Sequence, residues 1–168
     1  MNNKKIVILV RTALFLALAF VVTYFVSFPL AIGNINLGDS VILVGAMFLP
    51  TLPLAFASGC GPMFADLAAG YGSYAPYTLV IKFIEGLIVG IVFKKMKVIK
   101  NEYVRFLIAT LLAVIIIPLG YFIANTIMYG YGAAVGTVVN DILQAGASVV
   151  IANVLFFALK KAKLDDKA

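Results

Sequence analysis

The sequence predicts an all-α polytopic membrane protein, a bundle of six transmembrane helices with both termini cytoplasmic, and three observations carry that expectation. The first is composition. Of 168 residues, 64% are hydrophobic and 12% charged, against about 25% charged in an average soluble domain, and the mean hydropathy is +1.11. So few charged side chains cannot cover a water-soluble domain, and so apolar a chain is not disordered. The second is charge spacing. No charge falls within 12–38, 40–65, 106–140 or 142–159. A spanning helix needs about 20 apolar residues, and these runs lack the alternation of a transmembrane β-strand. The third is the placement of the basic residues. Twelve of the 13 Lys and Arg fall in three clusters: Lys4, Lys5, Arg11; Lys94, Lys95, Lys97, Lys100, Arg105; and Lys160, Lys161, Lys163, Lys167.

The elements follow in order along one domain, 1–168. Helix one is expected at about 6–27. Its basic flank resembles a signal peptide, but the apolar run is too long and no small-residue cleavage site follows. The Gly-, Pro- and Asn-bearing stretch 28–37 reads as a loop. Helix two, about 38–50, is short and stops at Pro50; Pro50 and Pro53 bracket a tight connection into helix three, about 52–71. Gly70 to Pro76 is a second loop, and helix four covers about 77–94. Helix five runs from about 105 to 129, Tyr129-Gly130-Tyr131-Gly132 opens a third loop, and helix six covers about 137–160. Positive segments stay inside. All three basic clusters are then cytoplasmic only if an even number of spans precedes each, and this count gives four and six. The loops 28–37, 71–76 and 130–136 face outside, and none carries a charge.

Several functions are excluded. There is no histidine or tryptophan, and Cys60 is the only cysteine, so one chain can hold neither a disulfide nor a Cys/His metal site. No phosphate-binding Gly-x-x-x-x-Gly-Lys-Ser/Thr loop occurs, so the chain is not expected to hydrolyse ATP, and no cofactor is expected in this chain. The basic excess is a topology signal, and no folded basic domain exists to hold nucleic acid. No catalytic or metal-ligating residue is expected.

Charge inside a membrane is costly and marks function by default. A set of intramembrane polar groups maps to the outer third. Asp39 opens helix two, Asp66 precedes the outer end of helix three, and Lys82 and Glu85 lie one to two turns into helix four. Asn125 is a turn below the outer end of helix five, and Asn140, Asp141 and Gln144 lie one to two turns into helix six. Seven of the eight tyrosines share that half, with Tyr103 the exception. An aromatic belt should have two sides. The asymmetry points instead to an outward-open polar cavity. The candidate substrate-binding residues are therefore Asn34, Asn36, Asp39, Asp66, Tyr71, Tyr74, Lys82, Glu85, Asn125, Asn140, Asp141 and Gln144.

Blander roles remain open for each. Lys82 can pair with Glu85 at i,i+3, or with Asp66 on the neighbouring helix. Asp39 can cap helix two. The amides can join helices. Asp39, Asp66, Glu85 and Asp141 against Lys82 leave a formal −3 at the site, which disfavours an anion by several kcal/mol. A neutral or cationic ring with hydroxyl and amine groups fits better. Small-residue pairs Ala13/Ala17, Ala65/Ala69 and Gly86/Gly90 allow close helix approach. Ala13 and Ala17 lie near the cytoplasmic end of helix one, where a partner could dock.

Three stretches carry a family resemblance: Ile35-Asn36-Leu37-Gly38-Asp39, Ala65-Asp66-Leu67-Ala68-Ala69-Gly70-Tyr71, and Tyr74-Ala75-Pro76-Tyr77-Thr78-Leu79-Val80-Ile81-Lys82 followed by Glu85-Gly86. With the size, the six-helix pattern and the alanine spacing, the chain resembles the substrate-binding S component of energy-coupling factor (ECF) vitamin transporters. The resemblance is closest to members linked to pyridoxine or hydroxymethylpyrimidine. It implies a multi-pass subunit of the bacterial plasma membrane that is not an enzyme. It also implies a transmembrane coupling subunit and two cytoplasmic ATPases as partners, with ATP used by those partners. The ligand would be a vitamin bound near the outer face, under the loop between helices one and two. Other vitamins, such as pantothenate, thiamine or riboflavin, are the alternatives, and the charge argument counts against pantothenate. An intramembrane protease lacks its histidine or its Gly-x-Gly-Asp motif, and a channel would need polar groups through both leaflets.

Overall fold

The computed structural model describes residues 3–29 and 34–164, without the side chains of Pro29 and Asn34. The chain forms α1 (Asn3–Phe25), β1 (Ser27–Pro29), β2 (Asn34–Asn36), α2 (Gly38–Phe48), α3 (Thr51–Ala68), α4 (Ala75–Lys95), α5 (Glu102–Leu111), α6 (Ala113–Tyr129) and α7 (Tyr131–Lys161). Helices α5 and α6 continue one another as the single apolar span Glu102–Tyr129. The ladder is interrupted at Leu112, shortly before Pro118, which lacks an amide hydrogen and crowds the carbonyl four residues earlier. Among the described residues, four helical segments are long and apolar enough to cross a membrane: α1, α4, α5–α6 and α7.

Three expectations need correction. Helix two is 11 residues, about 16 Å long, shorter than a hydrocarbon core of about 30 Å, and it leads from the hairpin to the Lys94 end. Eight of its residues, Gly38 to Ala46 except Val41, are buried. It is an internal strut touching α1, α3, α4 and α7. The expected loop 28–37 contains a hairpin in which β1 and β2 pair antiparallel, Ser27 opposite Asn36 and Phe28 opposite Ile35. The expected loop 130–136 does not exist. Gly130, at φ 86°, adopts a left-handed conformation that glycine takes without a Cβ clash, so the chain reverses within one residue and α7 starts at Tyr131.

Helix α3 is sandwiched between α1 and α4, and α6 packs on α7. The α3–α4 contact is close because Gly86 has no side chain: a Cβ there would sit 2.8 Å from the Ser58 Cβ and 3.1 Å from the Ala55 Cα. Basic residues from α4, α5 and α7 gather at one end. Lys160 reaches Glu102 at 2.7 Å, Arg105 lies 5.4 Å over the Phe93 ring, and Lys94 donates to the Leu49 carbonyl beyond the last turn of α2. Asn101 caps α5 by accepting from the Tyr103 and Val104 amides at 3.0 and 3.3 Å. Just inside this basic end the core is aromatic. Phe106 stacks on Phe156 at 4.0 Å and Phe93 stands edge-on to both. Asn153 of α7 donates there to the Thr110 hydroxyl at 3.0 Å. The hairpin lies at the opposite end.

Candidate functional site

Near the hairpin end, Lys82 of α4 is the centre of a buried polar cluster. Its ammonium donates to Asp39 Oδ1 on α2 and lies 3.4 Å from Glu85 Oε2, one turn further along α4. The three side chains are 2%, 1% and 0% exposed. Ionised groups are buried at such cost only when paired. Here one cation faces two carboxylates, and neither Glu85 oxygen receives a hydrogen bond. The Lys82 ammonium also lies 5.7 Å from the centre of the Tyr121 ring on α6. Two more carboxylates flank it. Asp66 of α3 and Asp141 of α7 form no ion pair with the ammonium but stand within its electrostatic reach. Two acidic residues thus contact the one lysine that lies outside the basic end clusters, and two more, on α3 and α7, lie within its field.

Two amide networks complete the site. Gln144 of α7, 4% exposed, donates from Nε2 to Asp39 Oδ2 at 3.0 Å. Its Oε1 accepts from the Asn36 backbone amide at 3.0 Å and from Asn36 Nδ2 at 3.2 Å. Asn36 Oδ1 in turn accepts from the Gly38 amide at 3.1 Å, which turns the chain from β2 into α2. Nearby, the Tyr74 hydroxyl donates to Asn125 Oδ1 at 2.7 Å, and Asn125 Nδ2 donates to the Thr137 hydroxyl at 2.9 Å. The Thr78 and Tyr121 hydroxyls lie 3.1 Å apart between the two networks.

Of the predicted residues, Asn36, Asp39, Lys82, Glu85 and Gln144 share one network, with Asp66 and Asp141 beside it, while Tyr74 and Asn125 form the second. Tyr71 is exposed and lines a crevice of about 60 Å³ with Thr23, Tyr24, Ser27, Asn36 and Asp66. That is room for about two waters. Asn140 is half-buried on α7. The Asn34 side chain lies outside the described residues. Two pairing expectations are settled: the closest partner of Lys82 is Asp39, not Asp66, with Glu85 second; and Asp39 makes no cap, because its carboxylate is turned inward to Lys82 and Gln144. Thr78, Tyr121 and Thr137 were missed. Hydroxyls on apolar helices carry no charge penalty to flag them.

Ala13 and Ala17 are exposed, and the buried residues of α1 are Ala19 and Thr23. The small-residue face of α1 is therefore turned away from the bundle. Gly86, by contrast, serves packing within the chain.

Known proteins place this architecture. The model of the ECF-type riboflavin transporter S component family matches residues 3–161. The chain is 40% identical over 133 residues to an uncharacterized protein of Pyrococcus woesei, covering 79% of this chain and 86% of that one. It is 30% identical over 158 residues to the thiamine precursor transporter HmpT of Lactococcus lactis subsp. cremoris, covering 92% of this chain and 89% of that one. A bundle of long apolar helices with a polar cluster near one end, matched over residues 3–161 by the family model, is a multi-pass membrane transport subunit and not an enzyme: the chain belongs to the ECF-type riboflavin transporter S component family.

Proposed function

We propose that this chain is the substrate-capturing subunit of an ECF importer for a small, uncharged or cationic heteroaromatic vitamin precursor, hydroxymethylpyrimidine first. The observation that carries the proposal is the buried contact of Asp39 and Glu85 with Lys82, the one buried cation among the described residues, with Asp66 and Asp141 within its field. An exocyclic amine donates to such carboxylates, ring nitrogens accept from hydroxyls such as Thr78 or Tyr121, and a pyrimidine ring stacks on Tyr74 or Tyr71. An anionic ligand meets the excess negative charge. Two like charges 4 Å apart repel by about 4 kcal/mol at an effective dielectric of about 20. The similarity to a thiamine precursor transporter supports the same substrate class. Riboflavin, named in the family's description, is the second reading.

The hairpin end faces outside and the basic end faces the cytoplasm of the plasma membrane, as positive-inside placement requires. A coupling subunit and two cytoplasmic ATPases supply the energy, and α1 offers the exposed Ala13 and Ala17 face for docking. The whole chain acts as one domain and carries no cofactor.

Calorimetry on the purified protein with hydroxymethylpyrimidine, pyridoxine, thiamine, riboflavin and pantothenate tests the reading. Hydroxymethylpyrimidine should bind most tightly and pantothenate not measurably. Asp66→Asn and Asp141→Asn should each weaken binding about tenfold, equivalent to about 1.4 kcal/mol, while the protein stays folded. Tight riboflavin binding without hydroxymethylpyrimidine binding would favour the second reading, and tight pantothenate binding would overturn the charge argument.

A further inference from the structure

The Gln144 side chain joins parts of the chain that are more than a hundred residues apart. Its carbonyl oxygen takes two hydrogen bonds from Asn36 on the hairpin, and its amide nitrogen gives one to Asp39, the partner of Lys82. With both acceptor positions and one of two N–H groups engaged, and 4% of its surface exposed, the amide has little capacity left for a ligand. The Asn36 backbone amide is satisfied by this side chain and not by the opposing strand. The hairpin itself is short, three residue pairs, and its base is held by one further bond, from the Leu37 amide to the Val26 carbonyl at 3.2 Å. A two-stranded hairpin of this length is unstable alone. Its position therefore depends on what it is tied to, and Gln144 ties it both to α7 and to the charged pair beneath.

We propose that Gln144 is a positioning residue that clasps the β1–β2 hairpin to the Asp39–Lys82 pair, and so sets how fast ligand enters and leaves without choosing which ligand binds. The proposal rests on the reading of the Lys82 cluster as the ligand site. Opening the clasp frees the hairpin and one oxygen of Asp39 together, so access to the site and the availability of its carboxylate are coupled through one amide.

The experiment has two arms on the full chain in nanodiscs. In the first, hydrogen exchange is followed without ligand. Gln144→Leu should speed exchange of the Asn36 and Leu37 amides at least tenfold and leave 42–48 in α2 unchanged. In the second, hydroxymethylpyrimidine kinetics should show both association and dissociation faster by about tenfold. The dissociation constant should then move much less, and the preference for hydroxymethylpyrimidine over thiamine should stay constant. Asn36→Ala removes one of the three clasp bonds, together with the acceptor of the Gly38 amide, and should give a smaller change in ligand rates, about threefold, in the same direction; it stands in if Gln144→Leu does not fold. Unchanged hairpin exchange in the folded variants overturns the clasp, as does an altered ligand preference, which would make Gln144 a direct contact. If the wild-type protein binds none of the probes, the functional reading fails, and the exchange arm still decides the clasp.

Discussion

Replacing Lys82 by Met keeps the length and apolar stem of the side chain and removes the only cation of the cluster. Asp39 and Glu85, 1% and 0% exposed, then remain with no counter-ion. At the observed 3.4 Å from Glu85, the lost attraction is about 5 kcal/mol at an effective dielectric of about 20. Asp39 keeps its bond from Gln144, while Glu85, whose oxygens accept no hydrogen bond, keeps nothing. Removing one partner of a buried pair typically costs 3–5 kcal/mol, because the other charge is left stranded. Lys82→Met should therefore destabilise the ligand-free protein by about 3–5 kcal/mol, a large part of a usual margin of about 5–15 kcal/mol. Reversible unfolding in mixed micelles reads this directly. The double variant Lys82→Met with Asp39→Asn should recover at least about 1.5 kcal/mol relative to additivity, since the second change neutralises a stranded carboxylate. A Lys82→Met protein as stable as wild type, or strict additivity in the double variant, would refute the argument that the pair is a dry, mutually dependent unit.

Gly86→Leu should lower stability by about 1–3 kcal/mol, because the new side chain is forced against Ser58 and the backbone of α3; Gly132→Ala, where nothing lies within 4 Å, should not. Thermal unfolding of the two variants compares them. Ala17→Phe should leave stability and vitamin binding unchanged, since the residue is exposed, yet reduce recovery of the ECF coupling subunit on co-purification. Unaltered recovery would move docking to another face. For orientation, a cysteine at Gly132 in a Cys60→Ser background should react with an impermeant thiol reagent added to intact cells. One at Val98, 94% exposed in the basic turn, should react only after lysis.

Much of this was legible in the chain because charge in a membrane is rare and each instance stands out. Long charge-free runs located the helices, and the few interruptions located Asp39, Asp66, Lys82, Glu85 and Asp141, which the fold brings together. The i,i+3 pair of Lys82 and Glu85 is a local feature of one helix. The stronger partnership with Asp39 is not, because it depends on α2 being inserted among α1, α3, α4 and α7, a fact of long-range packing that no spacing encodes. The hairpin was hidden for a different reason. Phe28-Pro29-Leu30-Ala31-Ile32-Gly33-Asn34-Ile35-Asn36 has neither sustained alternation nor a two-residue Asn-Gly turn, so it presents only loop signals. The early start of α7 turned on one glycine, Gly130, read as the first residue of a loop when it is the whole of one.

That single-residue reversal changes the depth scale of the molecule. Helix α7 has 31 residues, about 46 Å of helix, while the hydrocarbon core is about 30 Å thick. If Lys160 and Lys161 hold one end at the headgroups and the helix stands upright, about 20 residues fill the core, which brings its far boundary to about Asn140. Asp141 and Gln144 are then many residues into their helix and yet within about 6 Å of the lipid headgroups. On that placement the stretch Tyr131–Val139 would rise past the bilayer surface like a bollard. The charged cluster would then sit at the shore of the membrane, and on the proposed function no ion would have to be carried to the midplane for a ligand to be caught.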